Sequence, residues 1–260
     1  MRADVYLTEQ GHVSSRRRAQ ELIAQGCVRI DGKVVPKASY PILEGEHEVE
    51  LQETLAYVSR GGLKLEAALD AFLPNVEGMT ALDIGASTGG FTDCLLSRGV
   101  AKVFAVDAGC GQLAQKLRED PRVVSKEHLN ARALTPAHVD GAQVDLIVMD
   151  VSFISATYIL PQFPGLLREG GHAVCLIKPQ FEVGRSMLGK GGIVKDPAAH
   201  RFAAERVLRS GVAAGLSPRG LIPSPVTGGD GNREFLVYFQ WEPSSCGEEA
   251  IEPLLRQRFG

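Results

Sequence analysis

Apolar and polar positions divide the chain into two regions of different periodicity. In the first, RADVYLTEQGHV and SSRRRAQELIAQG carry apolar residues at helical spacing, and the second segment is opened by a serine and closed by a glycine. CVRIDGKVV and EHEVEL then alternate like strands, with Asp31 and Gly32 at a hairpin turn. These signals predict a small α+β domain over residues 1 to 58, made of a helix pair, a hairpin and a further strand.

Beyond a short connector, apolar runs alternate with amphipathic segments, which is the rhythm of a parallel α/β sheet. The predicted strands are TALDIG, KVFAVD, RVVSK, VDLIVMD and HAVCLIK, and the predicted helices are GGLKLEAALDAF, GGFTDCLLSRG, GQLAQKLRED and DPAAHRFAAERVLRSG. GLIPSPV and EFLVYFQW have only a turn-rich link between them, which predicts an antiparallel final pair. Residues 59 to 260 are therefore predicted to form an α/β domain whose sheet is mostly parallel with an antiparallel last strand.

Composition limits the class of protein without identifying it. The chain has 260 residues, 44% hydrophobic residues and a formal net charge of -3, which suits a globular protein with one large domain, alone or with a small one. It has no apolar run of about 18 residues and no signal-peptide core, so we expect a cytoplasmic protein without a membrane partner. The cysteines lack paired CxxC spacing, so we expect no metal and reduced packing residues at Cys27, Cys94, Cys110, Cys175 and Cys246.

The distribution of charge separates the two regions more clearly than the net charge does. Acidic residues fill the stretch from 44 to 53, whereas basic residues gather earlier in the small domain. These basic residues are Arg16, Arg17, Arg18, Arg29, Lys33 and Lys37. One face of the small domain is therefore predicted to be positive and to suit a nucleic acid, with an ordinary solvated helix face as the alternative.

The segment LDIGASTGGFTD runs from a strand through a glycine-rich turn into a helix. Such a turn lets the backbone approach a ligand closely and directs helix N-terminal amides at it. The turn lacks the lysine of a triphosphate-binding loop, and its G-x-x-x-G-G spacing differs from the G-x-G-x-x-G of dinucleotide sites. S-adenosylmethionine remains as the candidate ligand, with a tight strand-to-helix link that binds nothing as the alternative.

Polar side chains at successive strand ends suit the parts of S-adenosylmethionine. Asp83 ends the first strand and is a candidate partner for the ammonium group, while the turn amides face the carboxylate. Asp107 lies 24 residues beyond Asp83 (107 minus 83), near the step of about 20 residues at which an acidic residue binds ribose hydroxyls. Asn130, after the third strand, is predicted to meet the adenine edge.

Four ionisable residues occupy positions where apolar residues or loop ends are expected. Lys64 lies among leucines at the start of a predicted helix, and Lys178 ends the apolar run VCLIK. Asp150 ends LIVMD, and Glu234 begins EFLVYF. Because the carboxyl ends of parallel strands face the ligand edge, we expect these groups to converge beside the cofactor. Taken singly, Lys64 has the alternative of a surface lysine and Asp150 that of a loop cap.

These groups suit methyl transfer to a sugar hydroxyl. A ribose 2'-hydroxyl is a poor nucleophile and needs an acceptor for its proton as the methyl group moves. We assign Lys178 as the base or hydroxyl-orienting group, and Lys64 as the supporting cation that also engages RNA phosphate. Asp150 and Glu234 are expected to hold the two lysines in place.

Two phenylalanines follow the same strand ends. Phe153 lies in SFIS and Phe181 in PQFEVG, and both are candidate stacking faces for a base, with burial in the core as the alternative. The histidines at positions 47, 138 and 200 have no matching partners in the sequence, so no role is assigned to them.

Four segments, YVSRGGLKL, LDIGASTGGFTD, DLIVMDVSFIS and LIKPQFEVG, resemble the TlyA family and, more broadly, the FtsJ-like ribosomal RNA 2'-O-methyltransferases. The first domain resembles the S-four-type RNA-binding domain. The resemblance implies a Rossmann-like class I methyltransferase sheet preceded by a small RNA-binding domain. It also implies an enzyme that uses S-adenosyl-L-methionine to methylate the cytidine ribose of ribosomal RNA.

The resemblance also implies functions for individual residues. The catalytic residues would be Lys64, Asp150, Lys178 and Glu234. The cofactor-binding residues would be Asp83, Gly85, Ala86, Ser87, Thr88, Gly89, Gly90, Phe91, Thr92, Asp107, Asn130 and Asp150. The RNA-binding residues would be Arg2, Arg16, Arg17, Arg18, Arg29, Lys33 and Arg60.

The implied partner is ribosomal RNA, free or in ribosomal subunits. Members of the family methylate 23S rRNA, and longer members also methylate 16S rRNA. This chain begins close to its first helix, which favours the shorter type. A predicted terminal helix in EEAIEPLLRQRFG keeps 16S rRNA open as a second target. Two alternatives stay open, a methyltransferase for a small molecule and a membrane-active hemolysin, a label that the family carries. The sequence has no membrane-spanning segment or basic amphipathic helix to support the second.

Overall fold

A computed structural model describes residues 1–24, 26–43, 45, 47–51, 56–228, 231–242 and 247–260. The chain divides into two compact units, Met1–Arg60 and Gly61–Gly260.

The first unit has the predicted helix pair, hairpin and further strand. Its elements are α1 (Ala3–Glu9), α2 (Arg16–Ala24), β1 (Val28–Ile30), β2 (Lys33–Val34) and β3 (Val49–Leu51). The strands form an antiparallel sheet in the order β2-β1-β3. One residue of the predicted strand EHEVEL, Glu46, lies outside the described residues.

Local signals explain where these elements begin and end. The Ser15 hydroxyl accepts a hydrogen bond from the backbone N–H of Arg18 at 3.2 Å, which satisfies a free amide at the start of α2. Asp31 (φ 51°) and Gly32 (φ 71°) both adopt the left-handed conformation that a tight two-residue hairpin turn requires.

The second unit is built around a seven-stranded sheet formed by the described residues. Its strands, in chain order, are β4 (Thr80–Ile84), β5 (Lys102–Val106), β6 (Val123–Lys126), β7 (Val144–Met149), β8 (Leu167–Ile177), β9 (Leu216–Pro223) and β10 (Phe235–Trp241). Their order across the sheet is β6-β5-β4-β7-β8-β10-β9. The first five strands are parallel and β10 is antiparallel to both β8 and β9, which confirms the predicted sheet.

The α-helices of the second unit connect and cover these strands. They are α3 (Gly61–Phe72), α4 (Gly90–Ser97), α5 (Gln115–Arg118), α6 (Phe163–Leu166), α7 (Pro179–Glu182), α8 (Pro197–Ala213) and α9 (Glu248–Phe259). Large side chains on the sheet, among them Leu82, Phe104, Ile147 and Phe239, are buried. None of the helices in the described residues is long and apolar enough to cross a membrane.

Three of the predicted elements have different bounds in the structure, and α6 and α7 were not predicted. α5 is a single turn, because the residues before it form a loop. β8 begins five residues before the predicted HAVCLIK, and β9 covers Leu216–Pro223 instead of residues 220 to 226. Pro218 lies in β9 beside a register shift opposite Tyr238 and Phe239, and a proline is tolerated there because β9 is an edge strand.

The parallel register brings several strand ends to one edge of the sheet. Ile84 lies opposite both Val106 and Met149, so β4, β5 and β7 end at the same level. Ile177 at the end of β8 lies opposite Phe235 at the start of the antiparallel β10. The residues that follow β4, β5, β7 and β8 and the residue that precedes β10 therefore meet at one edge.

The cysteines differ in one respect from the expectation. Cys27, Cys94 and Cys175 are buried packing residues, and burial raises the pKa of the Cys175 thiol. Cys110 is exposed, because it lies in the loop after β5 and not in the core. Cys246 lies outside the described residues.

Candidate active site

Lys64, Asp150, Lys178 and Glu234 meet at the edge of the sheet described above. Glu234 Oε2 lies 2.6 Å from Lys64 Nζ, which lies 3.9 Å from Asp150 Oδ2. Asp150 Oδ1 lies 2.6 Å from Lys178 Nζ. The four side chains thus form a continuous chain of alternating charge, contributed by α3, the residue before β10 and the loops after β7 and β8.

The burial of this chain gives it a defined geometry. The side chains of Lys64 and Lys178 are 10% and 12% exposed, and that of Glu234 is 2% exposed. Burial raises the pKa of Glu234, and the facing Lys64 ammonium opposes that rise. Buried ions are tolerated when they are paired, and two cations with two carboxylates balance each other here. Lys178 Nζ also donates to the Ser152 hydroxyl at 2.7 Å, which fixes its direction.

A cleft of about 250 Å³ opens beside this chain of charges. Lys178 and Glu234 line it, together with Phe153 and Phe181. The two rings lie 5.4 Å apart at an angle of 50°, and Phe153 is 91% exposed with a positive φ of 65°. Phe153 is therefore not buried in the core, and its ring lies beside Phe181 at the cleft.

The glycine-rich turn lies against the same edge. Gly85 (φ 85°) passes so close to the Asp150 carbonyl that a Cβ would collide with it, and Gly89 (φ 97°) precedes α4. Asp83 is fully buried, and its Oδ2 accepts a hydrogen bond from the Thr92 hydroxyl at 2.7 Å. Its Oδ1 has no hydrogen-bond partner among the described residues. Burial raises the pKa of Asp83 to about 7, which the Thr92 hydrogen bond opposes.

Asp107 binds the backbone of two loops, the glycine turn and the loop after β5. Its carboxylate accepts hydrogen bonds from the backbone N–H groups of Ser87 at 2.8 Å and Gly109 at 2.7 Å. Asn130 is exposed, and its side chain caps a short turn by accepting from the backbone N–H of Arg132 at 3.0 Å. The structure therefore places Asp107 beside the glycine turn and gives Asn130 a local capping contact.

The other predicted cofactor residues fall into two groups. Gly90, Phe91 and Thr92 are buried in the first turn of α4 and hold that helix against the sheet. Ala86 and Ser87 line a small cleft beside Asp107, while Thr88 is exposed.

Sequence reasoning missed several residues around this small cleft. Gly109, Cys110, Gln112, Leu113 and Glu127 also line it. The signal that was available is the run AGCGQ immediately after Asp107, because glycines after a strand end often mark a close approach to a ligand. Glu127 had no comparable signal, since its position depends on how the loop after β6 folds.

In the first unit, the predicted RNA-binding residues Arg2 and Arg16 converge on a residue that sequence reasoning missed. Asp4 is 0% exposed, and its carboxylate accepts from Arg2 Nε at 2.9 Å and Arg16 Nε at 2.9 Å. Gln20 Nε2 donates to the same group at 2.7 Å. The Arg2 hydrogen bond holds the pKa of Asp4 well below its usual range, against the effect of burial. The arginine side chains are 49% and 54% exposed, so their remaining donors face solvent.

The other predicted RNA-binding residues of that unit have different surroundings from Arg2 and Arg16. Arg17 and Arg18 are exposed on α2, and Lys33 is exposed on β2. Arg29 Nη1 donates to the Gly32 carbonyl at 3.1 Å, beside the hairpin turn. The Arg60 side chain packs against Gly26, in the space that a Cβ there would occupy.

Comparison with protein families accounts for both units. Residues 57–241 match the model of the FtsJ-like methyltransferases, and residues 1–47 match the S4 domain. A Mycobacterium tuberculosis protein named 16S/23S rRNA (cytidine-2'-O)-methyltransferase TlyA is 45% identical over 241 residues, which cover 92% of this chain and 88% of that protein.

Solved structures agree with this assignment. A Streptococcus thermophilus protein that carries a provisional hemolysin name is 42% identical, with a TM-score of 0.77 over 99% of this chain and 94% of that one. An S-adenosylmethionine dependent methyltransferase from Mesorhizobium loti is 16% identical, with a TM-score of 0.51 over 67% of this chain and 96% of that one, and shows the fold alone. The chain therefore belongs to the TlyA family of FtsJ-like methyltransferases, with a Rossmann-like methyltransferase unit that follows an S4 domain.

Proposed function

We propose that this protein transfers a methyl group from S-adenosylmethionine to the 2'-hydroxyl of a cytidine in ribosomal RNA. The observation that carries the proposal is the buried chain of Lys64, Asp150, Lys178 and Glu234 beside the glycine turn. The family membership supports methyl transfer, and the name of the Mycobacterium tuberculosis relative supports cytidine 2'-O in 16S and 23S rRNA as the target.

The glycine turn fits the methionine end of the cofactor. A buried carboxylate oxygen without a partner among the described residues, Asp83 Oδ1, suits an ammonium group, because an ion pair there would satisfy an otherwise unpaired buried acceptor. The amides at the start of α4 suit a carboxylate. Asp107 and Ser87 lie where the small cleft opens and would meet the ribose. When bound, S-adenosylmethionine supplies an electrophilic methyl group on a positively charged sulfur.

Of the two lysines in the chain of charges, Lys178 is the one that lines the cleft of about 250 Å³. We call this cleft the acceptor cleft, because it would hold the nucleotide that accepts the methyl group. Asp150 Oδ1 and the Ser152 hydroxyl hold its Nζ at 2.6 Å and 2.7 Å, so the ammonium has a fixed position at the cleft wall. There it would orient the 2'-hydroxyl and, in its neutral form, accept the proton that leaves the oxygen. Alignment of this kind contributes about 7 to 11 kcal/mol in favourable cases.

Lys64 has a different position from Lys178. It contacts Glu234 and Asp150 and does not line the cleft, so we assign it to holding these carboxylates instead of contacting RNA phosphate. Glu234 and Asp150 in turn keep the two ammonium groups apart and directed. The cytidine base would stack on Phe153 and Phe181, whose rings form the apolar wall of the cleft.

The first unit would bind RNA through its phosphates. Arg2 and Arg16 each have one edge fastened to Asp4 and the other exposed, an arrangement that presents donors to a phosphate with little loss of side-chain entropy.

The test is methyl transfer to rRNA. Purified protein is incubated with methyl-labelled S-adenosylmethionine and with large or small ribosomal subunits, or their naked RNA, from cells that lack the protein, and the modified nucleotides are mapped by mass spectrometry. We expect label on the ribose of cytidine in the large-subunit RNA. Label on a base, or no label on any RNA, would refute the proposal. The small-subunit arm decides whether 16S rRNA is a second target.

Two further assays test the alternative functions, a membrane-active protein and a small-molecule methyltransferase. Leakage of dye from liposomes in the absence of cofactor would favour a membrane-active protein. Transfer to small-molecule acceptors that survives deletion of residues 1 to 60, while ribosomal RNA is not methylated, would favour a small-molecule enzyme.

A further inference from the structure

A second cavity shares the lining residue Glu234 with the acceptor cleft. It has a volume of about 400 Å³. Its walls come from the segment after β9, the start of β10, the first turn of α8 and the end of α9. Ligand pockets typically have volumes of about 300 to 1,000 Å³, so this cavity is large enough for a nucleotide.

Two arginines line this cavity. Arg233 is exposed, Arg258 is partly buried, and both line the cavity. Neither forms an ion pair with a carboxylate in the part of the chain that the structure describes. Neighbouring arginines behave differently, since Arg256 on the same helix pairs with Glu252. Two guanidinium groups without carboxylate partners at a concave surface are suited to a phosphate.

Aromatic rings also line this cavity. Phe235 and Phe259 lie 5.1 Å apart with their rings edge to face, and Phe235 also contacts the buried His200 ring at 5.6 Å. The His200 Nε2 interacts with the Val194 carbonyl at 2.9 Å, which fixes the ring that Phe235 packs against. A cavity lined by both cations and aromatic rings suits the phosphate and base of a nucleotide.

We propose that this cavity binds a second nucleotide of the RNA strand, adjacent to the nucleotide whose ribose is methylated. The proposal rests on the proposed function. Arg233 and Arg258 bind the phosphate, and Phe235 and Phe259 contact the base or sugar. Because Glu234 is shared by both cavities, a strand that crosses it places neighbouring nucleotides on either side of a residue that also holds Lys64. The site thus selects a strand and not a free nucleoside.

The first test compares arginine variants in the full-length protein. We expect Arg233→Ala with Arg258→Ala to weaken binding of a target RNA about tenfold and to raise the KM for RNA with little change in kcat. The slope of log affinity against log salt should fall by about 0.7 for each phosphate of a single strand that the variant no longer binds. Cofactor affinity should stay as in the wild type. Arg256→Ala is the matched control on α9, and Arg258→Lys should keep intermediate affinity even if the alanine variant folds poorly.

The second test removes the phosphate charge instead of the arginines. A series of short target RNAs carries one neutral methylphosphonate linkage at each position near the target cytidine. Wild-type protein should lose about tenfold in affinity at one linkage next to the target, and the double variant should show no further loss at that linkage.

The outcomes separate this site from the proposed function. If the wild type does not methylate RNA, both proposals fail. If it methylates RNA but the double variant matches Arg256→Ala, or its loss adds fully to that of every methylphosphonate, the second-nucleotide site is refuted alone. Binding of free cytidine monophosphate that the double variant loses, with no effect on RNA, would likewise refute it and assign the cavity to a free nucleotide.

Discussion

Two clusters of charged side chains in this protein use similar groups in opposite arrangements. Around Asp4, the carboxylate is fully buried and its partners Arg2 and Arg16 are about half exposed. Around Asp150, the cations are buried with the carboxylates, since Lys64 and Lys178 are 10% and 12% exposed. The first arrangement presents positive charge to solvent, and the second keeps it inside a site.

The difference shows how burial decides what an ion pair can do. A guanidinium with one edge fastened and the other exposed keeps donors for a phosphate. An ammonium in a partly desolvated site interacts strongly with its neighbours and with any developing charge. The S4 unit is therefore suited to binding, and the methyltransferase unit to chemistry.

Replacement of Lys178 should have the largest effect. We expect Lys178→Ala to lower the rate of methyl transfer by about 10² to 10⁴-fold, because the proton acceptor at the cleft wall is lost. Affinities for cofactor and RNA should stay within a few-fold of the wild type. Single-turnover transfer assays measure the first quantity, and titrations measure the others.

Lys195→Ala serves as the control, because Lys195 is exposed and lies outside the cleft lining. If the Lys178 variant turns over at the wild-type rate, the base is another group and the buried cluster is structural.

Two buried carboxylates, Asp83 of the methyltransferase unit and Asp4 of the S4 unit, should also differ in their response to pH. Burial raises the pKa of Asp83 to about 7, so its carboxylate is lost as the pH falls through that value and an ammonium partner binds less well. We expect cofactor affinity to fall about tenfold from pH 8 to pH 6, with proton release on binding. RNA affinity that depends on Asp4 should not change there, because the pKa of Asp4 lies well below its usual range.

Calorimetry in buffers of different ionisation enthalpy measures the released proton, and Asp83→Asn should abolish it. The stability of the free protein should depend on pH in the opposite direction from the cofactor affinity. Since the folded-state pKa of Asp83 exceeds its ordinary value of 3.8, this group favours the folded state at low pH and that contribution is lost as pH rises towards 7. A cofactor affinity independent of pH would remove Asp83 as the ammonium partner.

Neutralisation of Asp4, whose carboxylate holds Arg2 and Arg16, should have a smaller effect. Asp4→Asn removes the charge that fastens Arg2 and Arg16 while it keeps the side-chain shape, and we expect about fivefold weaker RNA binding. Methyl transfer at saturating RNA should be unchanged. Filter binding across a salt series measures the loss.

Asp31→Asn is the matched control, because Asp31 is an exposed carboxylate of the same unit that pairs with His47 and not with the arginines. Equal losses in the two variants would show that Asp4 has no special role in presenting Arg2 and Arg16.

The smallest expected effect is on RNA binding, when the exposed cation Lys33 is replaced. Lys33 is exposed on β2, so its side chain loses entropy when it contacts a phosphate. We expect Lys33→Ala to weaken RNA binding only about twofold, less than Arg16→Ala does. The same salt series compares the two variants, and a larger loss for Lys33 would mean that the hairpin, and not α2, faces the RNA backbone.

Sequence reasoning reached the site through the ends of strands. Asp83, Asp150 and Lys178 each close an apolar run, and parallel strands must end at one edge of their sheet. Glu234 was accessible for the complementary reason, since it opens an antiparallel strand next to them. The position of β9 was not accessible, because Pro218 interrupts the apolar pattern and is accepted only through an irregular register at the sheet edge.

The order of elements, the turn conformations and the residue types at the strand ends follow from the amino-acid sequence, because they depend on local sterics and periodicity. Which ionisable groups are paired and, among the described residues, which are left without a partner depends on the folded arrangement of the elements. Asp4 became an anchor, Asp83 kept an unpaired oxygen, and Arg258 came to line a cavity through contacts between residues far apart in the chain. Burial and pairing are properties of the packed neighbourhood, and no local pattern of residues specifies them.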